Sequence, residues 1–468
     1  MKKRNIRRNS WQALTMLICM IAVFLASCES SESVGPPQMP KVPYNPSQPV
    51  VIKSFEPKEG SVRTQILIEG SNFGTDLSLI NVYLDDVRLN VISSTGSVIY
   101  VNIPQAIPSI QEVPLTIQIG EGSNMQETQT TEEFKYIIEP YVSTLAGYID
   151  PRNNSSTVKD GPIMLPGDPD FDADLGAQFD QPMWLTFDQH KNLYILEEYK
   201  AMRFMDKDQT SIKTKFDNGG IGRLRTIAFS NDWQTMLIAV DNGDWGDVAA
   251  VKTTTESDFT RWDRAINSKQ CNGGAYHPQD NIYFFNSYED GIVFKWSGNS
   301  NPLGVRDNSK ELFKIQDRSW EFNIQFHPDG DFAYIIVINQ HYILKSYYNR
   351  DTQELEAPVI FAGYPSKSGH ADGVATAARF DHPYQGAFDE EGNFYVCDRD
   401  NHCIRKITPN GIVSTFAGRA KSSGYTDGPV SDGQFNKPSG IAYDSENKIF
   451  YVADRENKRI RMINMPKQ

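Results

Sequence analysis

The stretch FYVCDRDNHCIRKI, at residues 394–407, decides the fold, because it returns almost unchanged as FYVADRENKRIRMI at residues 450–463. Each copy begins with an apolar, aromatic and β-branched run, passes through a polar turn with Asp and Asn, and ends in alternating apolar and charged residues. This pattern is typical of a β-hairpin, and Asp and Asn suit the turn because their side chains bond the local backbone. Two copies, fifty-six residues apart, predict a repeat architecture.

A second repeated segment, which we call the lead-in, precedes each hairpin. It reads FDHPYQGAFD at residues 380–389 and FNKPSGIAYD at residues 435–444. Together, the lead-in and the hairpin resemble an NHL repeat, which forms one blade of a β-propeller. Asn401 and His402 match two of the three letters that name this family, whereas Cys403 and Arg459 stand where its Leu is expected.

Weaker copies of the same unit extend backwards along the chain. Each contains an aromatic residue in its lead-in, which we call the anchor, followed by an apolar strand. The anchors are Phe187, Phe229, Tyr276, Phe326, Phe388 and Tyr443, with spacings of 42, 47, 50, 62 and 55 residues. Since a four-stranded blade takes about 40–50 residues, the anchors predict six blades with inserted loops.

The sequence also predicts how the ring of blades closes. The fifth unit continues into IVSTFAG at residues 412–418, whereas the sixth unit ends without such a run. A matching YVSTLAG lies at residues 141–147, before the first anchor. We therefore expect the N-terminal strand to complete the last blade, which removes the open sheet edge, and we assign residues 140–468 to the propeller.

Residues 50–139 have the pattern of a separate small β domain. Short alternating runs are separated by Gly and Pro, as in an immunoglobulin-like sandwich. The segments Pro57-x-x-Gly60 and Gly70-x-Asn72-Phe73-Gly74 resemble an IPT/TIG domain. The predicted fold class is therefore all-β, with this sandwich followed by a six-bladed NHL-type β-propeller. We interpret the sandwich as a spacer, because it shows no cluster of catalytic residues.

The first 49 residues carry targeting signals. Five basic residues precede an apolar run, residues 13–24, that is too short for an ordinary membrane span. Residues 25–28, Leu-Ala-Ser-Cys, resemble a bacterial lipobox, which implies a signal peptide at 1–27 and a lipid on Cys28. A Pro-rich tether at 28–49 follows, and its acidic, Ser-rich start is similar to the surface-export signals of Bacteroidota lipoproteins. We expect an outer-membrane lipoprotein that faces the cell exterior.

Charge and cysteine content narrow the possible partners. The formal charge of −13 becomes −18 when the five basic residues of the signal are removed. This negative charge opposes binding to nucleic acid and docking onto anionic lipid. Membrane attachment would therefore rest on the acyl chains. Cys271, Cys397 and Cys403 remain, an odd and sparse set that implies no disulfide framework.

The predicted ligand site lies on the propeller face where the central channel opens. The segments entering first strands and the loops following second strands reach this face. They carry aromatic and polar side chains, namely Trp184, Tyr199, Trp245, Tyr288, Trp320, Tyr384, Asp398 and Arg399. Aromatic rings cover the apolar face of a sugar, and the polar groups bond its hydroxyls. Packing between blades is the alternative role for the Trp side chains.

We expect no metal and no cofactor at this face. The His residues that could reach it, His341, His370, His382 and His402, do not have the spacing of a metal motif. The acidic loop Asp168–Asp174 lacks the central Gly and closing Glu of an EF-hand, so we interpret it as solvated rather than calcium-binding.

These features predict a cell-surface lipoprotein that binds a polysaccharide or oligosaccharide for an outer-membrane uptake system, with transporter components as partners. Two alternatives stay open. One is a propeller enzyme, a polysaccharide lyase or hydrolase, and the other is a protein-interaction scaffold within the uptake complex. Propellers host binders and enzymes alike, so the site has to decide between them.

The lipid anchor can be tested directly. Changing Cys28→Ala removes the only residue that the lipobox would modify, so we expect an unprocessed or released protein instead of a membrane-bound one. Cell fractionation and mass spectrometry of the mature N-terminus measure this. The lipobox assignment is wrong if wild type carries no acyl mass and the variant fractionates with membranes equally well.

Overall fold

The computed structural model describes residues 41–60, 64–103, 112–137, 139–150, 152, 154–168, 170–242, 246–287, 290–315 and 321–466. The predicted lipidation site Cys28 and the predicted ligand residues Trp245, Tyr288 and Trp320 lie outside these residues. Within the described part of the chain, no helix has the length and apolarity needed to cross a membrane.

Two sheets make up the immunoglobulin-like sandwich. In order across the first sheet, the strands are Val51–Glu56, Gln65–Gly74, Gly96–Asn102 and Asn90–Ser94. Across the second sheet they are Glu59–Gly60, Gln126–Tyr136, Glu112–Ile119, Ile80–Leu84 and Val87–Arg88. Successive side chains of a strand point to opposite faces, and buried residues accordingly alternate with more exposed ones along Ile80–Leu84.

The Gly70 to Gly74 segment shows why the sandwich needs glycine. Phe73 is fully buried, and its ring lies so close to Gly70 that a Cβ there would come within 2.3 Å of it. Any side chain at position 70 would therefore displace the ring from the core.

Six further sheets form the blades of the propeller, as predicted. Blade 1 consists of Pro182–Phe187, Leu193–Glu197, Ala201–Met205 and Ser211–Asp217. Blade 2 consists of Arg223–Phe229, Thr235–Asp241, Asp247–Thr254 and Asp263–Ser268. Blade 3 consists of Gly274–Tyr276, Tyr283–Ser287, Ile292–Lys295 and Lys310–Lys314. Blade 4 consists of Phe322–Phe326, Phe332–Val337, Tyr342–Asn349 and Val359–Gly363. Blade 5 consists of Pro383–Phe388, Phe394–Asp398, Cys403–Ile407 and Ile412–Ala417. Blade 6 consists of Pro438–Asp444, Ile449–Asp454, Arg459–Asn464 and Tyr141–Ala146.

Short elements complete the structure. The two-residue strands Gly161–Pro162, Gly373–Val374 and Gly428–Pro429 extend blades 1, 5 and 6, and Glu354–Leu355 pairs with the third strand of blade 4. Single turns of 3-10 helix lie at Leu77–Leu79, Gly122–Asn124, Thr255–Ser257, Ile338–Gln340, Ala375–Ala377, Arg399–Asn401 and Arg455–Asn457.

The ring closes through the strand that the sequence indicated. Tyr141–Ala146 pairs antiparallel with Arg459–Asn464, with Tyr141 opposite Asn464 and Val142 opposite Ile463. The first strands of successive blades contact one another all the way round, from blade 1 through blade 6 and back to blade 1. Gln385 joins three of them, because its Oε1 accepts the N–H groups of Leu185 and Ile441 at 2.9 and 3.1 Å.

A buried ion pair recurs in blades 1, 5 and 6. A carboxylate at the end of the second strand accepts from an arginine on the third strand, at 2.6 to 2.9 Å, and all six side chains are inaccessible to water. The pairs are Glu197 with Arg203, Asp398 with Arg405, and Asp454 with Arg461.

Each pair also binds the lead-in of its own blade. The second carboxylate oxygen accepts a main-chain N–H of that lead-in, from Asp381 in blade 5 and Asn436 in blade 6, both at 2.7 Å. The guanidinium donates to the carbonyl of the residue just before the lead-in as well, which is Arg379 in blade 5. Because a buried charge is tolerated only when it is paired and hydrogen-bonded, the pair fixes the second strand, the third strand and the lead-in together.

Breaking one pair should destabilise the propeller strongly. We expect Asp398→Ala to lower the free energy of unfolding by about 3–5 kcal/mol, because Arg405 is left buried without its partner. Denaturant unfolding with fluorescence detection measures the loss. Asp372→Asn is the matched control, since Asp372 contacts the same guanidinium at 2.7 Å but is half exposed, and should cost about 1 kcal/mol or less. Equal losses for the two variants would contradict the assignment.

Candidate functional site

A small cavity at the centre of the propeller collects charged side chains from four blades. Its walls are Met183, Glu198, Arg223, Arg225, Tyr384, Arg399, Ser439 and Arg455. We call this set the channel mouth.

The repeat places most of these residues. Met183, Arg225, Tyr384 and Ser439 each lie four residues before the anchor of their blade, on the first strands of blades 1, 2, 5 and 6. Arg223 lies on the first strand of blade 2 as well, and the remaining three residues come from the ends of second strands. Glu198, Arg399 and Arg455 each follow directly after the carboxylate of a buried pair. The pair therefore holds the strand end, and the next residue reaches the mouth.

Glu198 is the central anion of the mouth. Its Oε1 accepts from Arg223 Nε at 2.9 Å and from Arg225 Nη1 at 3.1 Å, and its Oε2 accepts from Arg455 Nη2 at 2.7 Å. Burial raises the pKa of Glu198, but the three guanidinium groups outweigh burial and hold it below its ordinary value. Glu198 is therefore ionised at neutral pH.

Two further carboxylates balance the arginines. Glu321 accepts from Arg225 Nη2 at 3.0 Å, and the pKa of Glu321 is lowered because Arg225 and Arg223 outweigh the effect of burial. Asp241 accepts from Arg223 at 3.2 Å, but its pKa is raised because burial dominates. The mouth therefore contains guanidinium donors and carboxylate acceptors that are paired with one another, rather than charges of one sign.

Three of the predicted ligand residues meet at or beside the mouth. Tyr384 and Arg399 line it, with the Arg399 guanidinium 5.7 Å from the Tyr384 ring centroid. Tyr199 is 54% exposed, and the guanidinium of Arg223 lies 5.4 Å from its ring centroid. Tyr384 is itself almost fully buried, so it forms part of the wall rather than a free platform. The binding role of these residues stays a prediction.

Two predicted ligand residues need correction. Trp184 is 4% exposed and packs within the hydrophobic core, and its Nε1 donates to Thr186 at 3.0 Å. It fills the blade interior, so it offers no open ring face to a sugar. Asp398 is fully buried, with its oxygens bound to Arg405, Asn401 and the Asp381 amide. It is a structural residue because none of its surface reaches solvent.

The prediction missed several residues of the mouth. Arg455 occupies the position in blade 6 that Arg399 occupies in blade 5, and Glu198 occupies it in blade 1. Applying the repeat to all blades would have found both. Arg223 and Arg225 could have been singled out as two arginines in an inner strand whose other residues, apart from Thr226, are apolar.

A larger cavity, of about 690 Å³, opens among blades 4 to 6 away from the mouth. Anchors Phe388 and Tyr443 form part of its wall, and blade packing already explains them. Its Glu390 is bound to Tyr443 and Lys448 at 3.0 and 2.6 Å. We assign the candidate site to the channel mouth, because no repeat-packing role explains the charged set there.

Comparison with known families agrees with this architecture. The IPT/TIG domain matches residues 49–136, and the NHL repeat matches residues 435–461. These matches define a protein class in which an IPT/TIG domain precedes an NHL-repeat propeller.

Solved structures narrow the class to a family. An auxiliary nutrient binding protein from Bacteroides thetaiotaomicron is 35% identical, with a TM-score of 0.78 over 91% of this chain and 100% of that one. A putative phosphatase from the same organism is 32% identical, with a TM-score of 0.72 over 91% and 99%. An auxiliary nutrient binding protein from Bacteroides ovatus is 29% identical, with a TM-score of 0.64 over 91% and 100%. The chain belongs to the family of these Bacteroides proteins.

Curated relatives are much longer proteins. The chain is 28% identical over 300 residues to Protein SUPPRESSOR OF QUENCHING 1, chloroplastic, of Arabidopsis thaliana, and the match covers 62% of this chain. It spans only 26% of the length of that relative.

The charge network of the mouth predicts a pH-dependent stability. We expect Glu198→Gln to cost about 1–3 kcal/mol at pH 7, because the buried Arg225 loses one of its two anions and keeps Glu321. The pKa of Glu198 is lowered by folding, so its contribution is present above the unfolded pKa of about 4.3 and is lost as pH falls through the folded value. The gap between wild type and variant should therefore be constant from pH 7 to about 5 and shrink below.

Denaturant unfolding at several pH values measures this gap. Glu456→Gln is the control, because Glu456 is 36% exposed and contacts Arg455 at 3.3 Å. It should cost far less at every pH. A gap that grows on acidification would contradict the role of Glu198.

Proposed function

We propose that the protein is a lipid-anchored, surface-facing binding protein that captures a glycan for an outer-membrane uptake system. The observation that carries this proposal is the exposed Tyr199 ring beside the paired donors and acceptors of the channel mouth. An aromatic face covers the C–H surface of a sugar, while guanidinium and carboxylate groups bond its hydroxyls.

Two lines of support come from outside the mouth. The family includes proteins described as auxiliary nutrient binding proteins, and a glycan is a nutrient of suitable chemistry for this site. The lipobox at residues 25–28 and the Pro-rich tether would hold the propeller away from the membrane, close to transporter components.

The carboxylates of the mouth favour binding over hydrolysis. A glycosidase needs one carboxylic acid with a raised pKa that donates a proton to the leaving group. Glu198 and Glu321 have lowered pKa values, and both are bound to arginines. Asp241 has a raised pKa, but its side chain is only 7% exposed and accepts from Arg223. Their chemistry suits fixed hydrogen-bond acceptors better than a general acid.

The test is a polysaccharide panel measured by affinity electrophoresis, with calorimetry on any ligand that retards wild type. We expect Tyr199→Ala to raise Kd about thirtyfold, because a true anchor contributes about 2 kcal/mol. Its melting temperature should stay unchanged, since the ring is largely exposed. Tyr425→Ala is the matched control, because Tyr425 is 62% exposed, lies 4.2 Å from the guanidinium of Arg459 and is not among the residues that line the mouth.

Three outcomes would overturn the proposal. Wild type could bind no glycan of the panel, or the two Tyr variants could bind equally well. The third is release of reducing ends or unsaturated sugars by purified protein, which would favour the enzyme alternative.

A further inference from the structure

Two histidines from different blades meet at the junction between blades 4 and 5. The rings of His341 and His382 are 4.7 Å apart and almost perpendicular. Oδ1 of Asp381 lies 2.9 Å from Nδ1 of His382 and 3.6 Å from Nδ1 of His341. Oδ2 of Asp400 lies 2.8 Å from the same nitrogen of His382. We call these four residues the junction cluster.

The repeat accounts for two bonds of this cluster. In one, the main-chain N–H of Asp400 donates to the carbonyl of Asp381 at 3.0 Å, as that of Glu456 does to Asn436 in blade 6, and His341 makes the other. Nδ1 of His341 accepts the main-chain N–H of His382 at 3.1 Å. The next junction repeats that bond, because Nδ1 of His402 accepts the N–H of Lys437 at 3.1 Å. His341 and His402 both have a left-handed backbone, with φ of 66° and 59°. A His at this position therefore joins one blade to the next.

The other three residues are not required for joining blades. At the junction of blades 5 and 6, the positions of Asp381, His382 and Asp400 are held by Asn436, Lys437 and Glu456. At the junction of blades 6 and 1, they are held by Asp180, Gln181 and Tyr199. The same backbone thus accepts an amide, an ammonium group or a phenol ring there. Of these three junctions, the junction of blades 4 and 5 alone combines two imidazoles with two carboxylates.

We propose that the junction cluster binds a divalent transition-metal ion of the zinc class. Imidazole nitrogen and carboxylate oxygen are the ligands such ions take in proteins. Bond lengths of about 2.0–2.2 Å put neighbouring ligand atoms about 3.3 Å apart in a tetrahedral site. The distances from Asp381 Oδ1 to the two Nδ1 atoms, 2.9 and 3.6 Å, bracket that value, and the ligand atoms of these three residues all lie within 4.8 Å of one another.

The ion takes the place of the proton that His382 Nδ1 shares with the two carboxylates. His341, Asp381 and His382 supply three ligands, whose ligand atoms all lie within 4.8 Å of one another, and water completes the shell. His341 binds the ion with the Nδ1 that now accepts the main-chain N–H of His382. The side chains are between 13% and 31% exposed, so an ion reaches them without unfolding of the blade.

The probe is zinc chloride, titrated by calorimetry into the full chain purified without a histidine tag. We expect one ion per chain and a rise in melting temperature on zinc addition. Calcium should not compete, because it prefers an all-oxygen shell of six to eight ligands. The site does not depend on glycan binding, so failure of one proposal leaves the other standing.

The repeat supplies the variants. His382→Lys and Asp381→Asn introduce the residues that the chain itself uses at Lys437 and Asn436. Lys437 has a φ of 54°, and His382 has 53°, so the backbone tolerates the change. Each variant should raise the Kd for zinc at least about tenfold, which is the smallest usual effect of losing even a second-shell partner of a metal ligand.

His402→Ala is the matched control, because it removes the equivalent inter-blade acceptor but no proposed ligand. Its zinc affinity should equal that of wild type. The proposal is overturned if wild type takes up no stoichiometric zinc. It is equally overturned if His382→Lys and Asp381→Asn bind zinc as tightly as wild type, or if His402→Ala loses the same affinity.

Discussion

The propeller depends on a carboxylate and a guanidinium that never meet water. In blades 1, 5 and 6 this pair holds the second strand, the third strand and the lead-in through five or more charge-assisted bonds. Such a pair gains nothing when it is only half assembled, because each unpaired buried ion carries a penalty of several kcal/mol. The blade therefore forms as a unit. The residue that follows the carboxylate is held at a fixed position in the channel mouth.

The three paired blades are neighbours around the ring. Blades 5, 6 and 1 flank the seam, where the chain is held only by strand pairing and side-chain contacts. Lys458 adds a bond at this seam, because its Nζ lies 2.9 Å from Asp180 of the next lead-in. The junctions of blades 4 and 5 and of blades 5 and 6 use a histidine at this position. Blades 2 to 4 have no counterpart of the pair among the described residues. In blade 2, the guanidinium groups of Arg223 and Arg225 pair with Glu198 in the channel mouth instead.

Much of the fold could be predicted because periodicity and anchors are local properties. The six blades, the closing strand and the sandwich follow from runs of apolar residues and turn residues. The roles of polar residues could not be read in the same way. Asp398 lies in a turn-like sequence typical of a ligand loop, yet it is buried because Arg405 comes back beside it on the next strand. Trp184 has the sequence position of a binding residue, but its side chain packs in the hydrophobic core of the propeller.

The residues of the channel mouth and of the junction cluster could not be grouped from the sequence, for a similar reason. The channel mouth takes residues from four blades, and their distances in sequence carry no signal that they meet. His341 and His382 come from different blades, with no spacing that marks a metal motif. Only the register of the repeat, applied to every blade at once, brings such residues to one point.

The closing strand ties the order of synthesis to the order of folding. Tyr141 pairs with Asn464, so the first and the last strands of the propeller are made more than 300 residues apart. Contacts of such sequence separation form slowly, since a long loop must close before they gain any energy. Until residues 438–464 have been made, Tyr141–Ala146 has no partner strands in blade 6. The ring can therefore close only after all the other blades have been synthesised.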